Sequence, residues 1–222
     1  HLAILKKICR LAYKEGYADR IHFQHFALPK QSERTPRALS RESFEKIRDV
    51  EIPPYRKTHM LARDLFLFAC YTGVSYADVV SITGENLYTD DHGALWLKYR
   101  RKKNEHRASV KLLPEALALL EKYRDDTRET LFPIIHHPNM KRHMKALAAL
   151  AGIKDDLCYH QARHSFASLI TLEAGVPIET ISRMLGHSDI STTQVYARVS
   201  PKKLFGDMDR FIEATQDFKL TL

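Results

Sequence analysis

The chain has 222 residues, with 35 Lys and Arg against 27 Asp and Glu, a formal net charge of +8. At about 150 residues per domain that length predicts one large domain, or one with a fragment, and enough chain to bury a core without disulfides. The positive surplus favours a polyanion, nucleic acid or an acidic membrane surface, and leaves the fold open.

Cys9, Cys70 and Cys158 lie 61 and 88 residues apart, which excludes a disulfide framework and a CxxC knuckle and fits a reducing cytosol. Apolar stretches such as Leu65–Tyr71 fall far short of the roughly 18 residues a membrane span needs. No signal-peptide pattern opens the chain, and a first residue of His predicts a piece of a longer protein.

In chain order, residues 1–18 predict an amphipathic helix, with Leu2, Leu5, Ile8, Cys9 and Ala12 at three- and four-residue steps. The stretch from Phe26 to Leu39, with Pro29 and Pro36, reads as a linker. Ser40 is placed to cap a helix over 41–49, and an apolar helix through MLARDLFLFACYT stops at Gly73. ALWLKY (94–99) and RASVKLL (107–113) alternate as strands around a basic turn. Pro114 opens another helix at the position where proline is tolerated. Helices are predicted over 139–151, 160–174, 178–185 and 201–214, punctuated by Gly152, Gly175 and Gly186. The expected fold class is therefore mainly α with a small antiparallel β-sheet (α+β).

The densest chemistry lies in Tyr159-His160-Gln161-Ala162-Arg163-His164-Ser165. On a helix His160, Arg163 and His164 share an arc of about 100°. Two imidazoles and a guanidinium at that spacing suit an anion such as phosphate. A solvated basic face is the plain alternative. The i, i+4 histidines also have zinc spacing, but Gln161 replaces the glutamate of HExxH and no third ligand is evident. Leu185-Gly186-His187 follows, then Tyr196 in Thr193-Gln194-Val195-Tyr196. A tyrosine can act as nucleophile only if its proton is removed or its phenolate is stabilised, and a cationic cluster supplies the second. Residues 98–107 carry six Lys or Arg against one Glu, which suits either a solvated turn or a contact with phosphate.

These motifs resemble the tyrosine recombinases, or phage integrases. The family's His-x-x-Arg-His-[Ser/Thr] is matched by His160 to Ser165, its Leu-Gly-His by Leu185 to His187, and its Thr-x-x-Tyr by Thr193 to Tyr196. Its hairpin Arg-x-Lys is matched by Arg101-Lys102-Lys103, and Tyr71-Thr72-Gly73 resembles the segment before its first catalytic arginine. The matches span about 37–215 in the family's order. One position departs: Thr-Gly-x-Arg-x-Ser-Glu-Leu aligns with Thr72 to Val79, so Ser75 stands where that arginine is expected. This is similar to integrases of certain conjugative and mobilisable elements, which also lack it.

The resemblance implies a tyrosine recombinase catalytic domain over 39–222. Residues 1–30 would then be the C-terminal helix of a truncated core-binding domain and 31–38 a linker. It implies site-specific DNA recombination without metal or other cofactor. Tyr196 would attack a phosphodiester and leave a 3′-phosphotyrosyl link and a free 5′-hydroxyl. Arg163 and His187 would donate to the non-bridging oxygens, with Arg101 in place of the missing arginine. Lys103 would be the general acid, and His160 a base or donor beside the nucleophile. Arg101 and Lys103, two apart in a strand, are expected to reach one phosphate together. Arg100, Lys102, Arg107, Arg37, Lys141 and Arg142 are the expected DNA-backbone contacts. The implied partners are double-stranded DNA at attachment sites and at a Holliday junction, three further copies in a homotetramer, and accessory DNA-bending proteins, with no membrane. A cytoplasmic, nucleoid-associated protein follows. Residues 216–222 are expected either to dock on a neighbouring copy or to fray. Type IB topoisomerase-like relaxation, or a non-catalytic DNA-binding protein that lost activity with the arginine, are the competing readings.

Overall fold

The computed structural model describes residues 2–23, 25, 38–196 and 201–215. The chain divides into two compact units, residues 1–35 and 36–222. In the first, α1 (Leu2–Lys14) follows the predicted apolar period. It closes at Gly16, whose φ of +78° lets Tyr17 N–H reach back to Ala12 O at 2.8 Å. Of the predicted linker over 31–38, only Ala38 is among the described residues, so Arg37 lies outside them.

The second unit is built around one helix. First, α2 (Arg41–Asp49) starts where predicted, the Ser40 hydroxyl accepting Ser43 N–H at 3.1 Å. Then α3 (Lys57–Thr72) is buried on nearly every side, as a helix apolar all round must be. It packs against α2, α5 (Pro114–Lys122), α6 (His137–Leu150) and α7 (His160–Ser165). Its Asp64, 1% exposed, accepts from Lys122 Nζ at 2.5 Å, Tyr123 Oη at 2.8 Å and Arg63 Nε at 2.8 Å. Those three donors satisfy a carboxylate that burial alone would penalise, and they pin α5 to α3. A single turn, α4 (Tyr76–Val79), follows Gly73.

Three antiparallel strands in chain order form the sheet: β1 (Leu87–Thr89), β2 (Leu95–Arg100) and β3 (Arg107–Lys111). The alternation predicts β2 and β3; β1 is too short to show a period. Leu97, Tyr99, Ala108 and Val110 face the core, and Lys98, Arg100, Arg107 and Lys111 face out. Thus the sheet is apolar on one side and basic on the other.

The predicted helix over 160–174 is two structures in series. After α7, residues Phe166–Leu172 wind as a π-helix. Thr171 Oγ1 donates to the carbonyls of Phe166 and Ala167, both at 2.9 Å. An apolar run of this length reads the same in both windings, so the sequence does not distinguish them. The chain continues with α8 (Ile178–Leu185), at the predicted bounds, then the short α9 (Ser191–Gln194) and α10 (Pro201–Thr215). Among the described residues no helix is long and apolar enough to cross a membrane.

Candidate active site

Arg163 is the most buried charge at the site, 1% exposed. A guanidinium so placed must have its donors satisfied. Nη1 donates to Gly73 O at 2.6 Å and Nη2 to Leu185 O at 2.5 Å. Both carbonyls end helices: Gly73 caps α3 and Leu185 closes α8. Helix C-termini carry unpaired carbonyls and partial negative charge, so the fold seats a cation where its backbone favours one. Each terminal nitrogen keeps a second N–H.

Glycine makes this possible at two points. Gly73 has φ +71°, and a Cβ there would lie 2.6 Å from the Phe166 ring and 2.7 Å from Leu185. Gly186 has φ +60°, and its Cβ would lie 2.9 Å from Arg101 Cδ and 3.1 Å from Arg107 O. The glycine of the Leu-Gly-His motif thus lets the end of α8 touch the hairpin.

Arg101 approaches from that hairpin, 8% exposed, its Nη1 donating to Gly186 O at 3.2 Å. Consecutive carbonyls, Leu185 and Gly186, therefore hold the two arginines. Behind Arg101 lies Asp78, 2% exposed, its Oδ2 3.9 Å from Arg101 Nε. The same oxygen accepts the Ser75 hydroxyl at 2.6 Å, and Oδ1 accepts Lys102 N–H at 2.9 Å. Ser75, where the family pattern has arginine, thus feeds the carboxylate that faces Arg101. The family pattern sets Asp78 against a glutamate without giving it a task. The hydrogen bond from Ser75 is not legible without the fold.

Arg101 and Lys103 do not lie two apart on a strand, as expected from the sequence. β2 ends at Arg100, and residues 102–104 form a turn. Arg101 is buried while Lys103 is exposed, so they do not share a strand face. They still border one groove of about 1370 Å³ together with Ser75 and His160, and that groove continues along α6 past Lys141 and Arg142. Lys141 and Arg142 are exposed, as are Arg100, Lys102 and Arg107. His143, inside the same basic run, turns inward instead and meets His59 edge-on, ring centroids 4.6 Å apart.

The aromatic side of the site is a stack of rings. His160 meets His164 edge-on at 4.3 Å, His164 meets Tyr196 at 5.1 Å, and His187 lies over Tyr196 at 6.4 Å with planes 21° apart. The sequence shows His164 only as part of a motif; its contact with Tyr196 depends on the turn after α9. The His160 and His164 pair has no third ligand among the described residues. Among the described residues no cluster of three or more His, Cys, Asp or Glu is placed to hold a metal ion.

Burial sets the electrostatics first, and the cations act on top of it. His187 and His164 are each pushed down to about 4, chiefly by burial, then by Arg163 for His187 and by His160 for His164. His160 is lowered by partial burial, then by Arg163, Lys103 and Arg101. All three imidazoles are neutral at pH 7. Burial raises the Tyr196 phenol, while Arg163 and Arg101 pull it back toward ionisation. The site is thus a protonated phenol beside neutral imidazoles and two anchored guanidiniums, the composition needed to attack and stabilise a phosphoryl centre.

The model of the phage integrase family matches residues 39–203. Tyrosine recombinase XerD of Lacticaseibacillus casei is 28% identical over 218 residues, 91% of this chain and 72% of that protein. XerD of Brucella melitensis biotype 1 is 29% identical over 226 residues, again 91% of this chain and 72% of that protein. The fold is similar to a lambda integrase dimer bound to a COC' core site, with a TM-score of 0.68 at 18% identity, covering 87% of this chain and 70% of that one. The chain belongs to the phage integrase family.

Proposed function

We propose that this chain cuts and rejoins double-stranded DNA at specific sites, with Tyr196 as nucleophile. In the forward step the Tyr196 oxygen bonds to phosphorus as the bond from phosphorus to the 5′-oxygen breaks. The phenol proton passes to His160, and Lys103 protonates the departing 5′-oxygen. Arg163, Arg101 and His187 donate to the non-bridging oxygens, whose charge grows in the pentavalent transition state. The phosphotyrosyl link keeps the energy of the broken bond, so a second 5′-hydroxyl reverses the step on another strand. The observation that carries the reading is the seating of Arg163 and Arg101 on adjacent carbonyls of α8's end, beside Tyr196. Arg101 takes the role of the missing arginine, held by Gly186 O and faced by the Asp78 carboxylate.

The test is single-turnover cleavage of nicked attachment-site DNA, which traps the covalent complex. Tyr196→Phe is expected to trap none, and a complex formed by that variant would reject the assignment. Losing one preorganised donor costs about 10²–10³ in rate, so Arg101→Ala is expected to cleave at least tenfold more slowly. An unchanged rate would leave the arginine position empty. Plasmid relaxation with no site preference and no recombinant products would favour a relaxing enzyme instead.

Arg100, Lys102, Arg107, Lys141 and Arg142 supply the backbone contacts in this reading. The working assembly is a tetramer on two duplexes joined in a Holliday junction, in the nucleoid, with DNA-bending proteins as accessory partners. The apolar side of α10 supports an assembly: Leu204, Phe205, Met208, Phe211 and Ile212 are all about half exposed or more. Phe211→Glu is expected to reduce assembly on DNA, read by sedimentation, and to spare binding of a single half-site. Unchanged assembly would place the subunit contact elsewhere.

A further inference from the structure

We infer that the buried Thr193 hydroxyl fixes His187 as the Nε2–H tautomer, which makes this ring a hydrogen-bond donor toward the space beside Tyr196. The inference rests on the reading of His187 as a phosphate contact for its consequence, and on hydrogen-bond accounting for its substance.

The Thr193 side chain is fully buried, 0% exposed. Its Oγ1 lies 2.8 Å from His187 Nδ1, and this is its one hydrogen-bonding neighbour among the described residues. A hydroxyl brings one proton, and a proton buried without an acceptor is costly. Two arrangements satisfy the distance. If His187 carried its proton on Nδ1, that N–H would point at Oγ1 and the hydroxyl proton would have no acceptor. If Nδ1 is bare, the hydroxyl donates to it and both groups are satisfied. The second arrangement leaves the ring proton on Nε2. A doubly protonated ring fails for the same reason as the first, and it would also face Arg163, Arg101 and Lys103.

The remaining geometry points Nε2 to use. It makes no hydrogen bond to protein among the described residues, while the ring lies over Tyr196. Only a neutral ring protonated on Nε2 can donate there without adding a third full charge to the two guanidiniums. The position of Thr193 is itself fixed, because Thr193 O accepts Tyr196 N–H at 2.9 Å. One residue therefore holds the nucleophile's turn through its backbone and the imidazole's tautomer through its side chain. In this sense Thr193 is a positioning residue, acting through His187.

The experiment uses the full chain with 15N-labelled histidine. Long-range proton–nitrogen NMR at pH 7 is expected to report the Nε2–H form for His187, assigned by its loss in His187→Gln. A His187 signal of the Nδ1–H form in the unsubstituted protein would overturn the inference. Thr193→Val removes the donor at nearly constant volume. It is expected to lose the pure Nε2–H signature and to cleave at least tenfold more slowly, with half-site affinity within twofold. Thr193→Ser restores the hydroxyl and is expected to recover both signature and rate to within threefold. A Thr193→Val protein that keeps the signature and the rate would sink the idea. Should the valine variant fail to fold by circular dichroism, the spectra of the unsubstituted and serine proteins decide. His187→Gln cleaving at the full rate would remove the phosphate contact, while the NMR signature would still decide the tautomer.

Discussion

Four histidines of this chain are held below their ordinary titration range: His143, His160, His164 and His187. In each, burial is the largest cause, and neighbouring imidazoles or guanidiniums add to it. His143 Nδ1 and His164 Nδ1 are also buried without a hydrogen-bond partner, so a proton there would gain nothing from the protein. The sign of the consequence follows from linkage. Between about pH 6.5 and the folded values, which reach about 4 for His164 and His187, the unfolded chain binds more protons than the folded one. Stability is therefore fully present above pH 6.5 and is lost as pH falls through the range toward 4. Melting temperature is expected to drop steadily from pH 7 to pH 5, and His164→Gln is expected to make that slope shallower. A melting temperature flat over that range would show that these rings titrate normally in the fold. His160 is shifted in the same direction by burial and the neighbouring cations, so acidification that protonates it also removes the proposed base.

The elements meet at two glycines, and the two differ in what they protect. A Cβ at Gly73 would enter the Phe166 ring and Leu185, so Gly73→Ala disturbs packing between α3 and the π-helix. A Cβ at Gly186 would instead displace Arg101 and press on the backbone of β3. Left-handed backbone costs an alanine roughly 1–2 kcal/mol in either place. Overpacking adds about 1–3 kcal/mol. Both variants are expected to melt earlier. Gly186→Ala is expected to lose cleavage far beyond its loss of stability, at least tenfold at a temperature where it remains folded. Cleavage by folded Gly186→Ala at the unsubstituted rate would contradict the seating of Arg101 on Gly186. Gly186 is legible in the sequence as an element boundary and as part of a motif. That it separates an arginine from a helix end is not, because the contact joins residues 85 apart. The same limit explains the rest: α2, α5 and α8 are readable from caps and apolar period. β1, α4, α9 and the π-helix are short or isoperiodic, and tertiary contacts decide them. The tyrosine proposed as nucleophile, the imidazoles and the arginines are visible as motifs; Asp78, Ser75 and Thr193 enter the site through hydrogen bonds that no spacing reveals.

At the scale of the whole molecule, the +8 charge is not spread evenly. The outer sheet face carries Lys98, Arg100, Arg107 and Lys111, and the groove beside the site carries Lys141 and Arg142. Arg100 and Arg107 sit directly opposite each other in the antiparallel pair. Neither has an ion pair among the described residues. Like charges in that position work against the sheet by a few tenths of a kcal/mol up to about 1. With no ion pair among the described residues, both are available for the phosphate contacts proposed above. Replacing Arg107 should therefore move two measurements in opposite directions. Arg107→Ala is expected to hold or raise the melting temperature, because it relieves the cross-strand repulsion. It is expected to weaken DNA binding and to lower the slope of log K against log salt by about 0.9 for each phosphate that the chain no longer neutralises. A variant that loses stability while keeping the full salt slope would show that the pair serves the sheet rather than the polyanion.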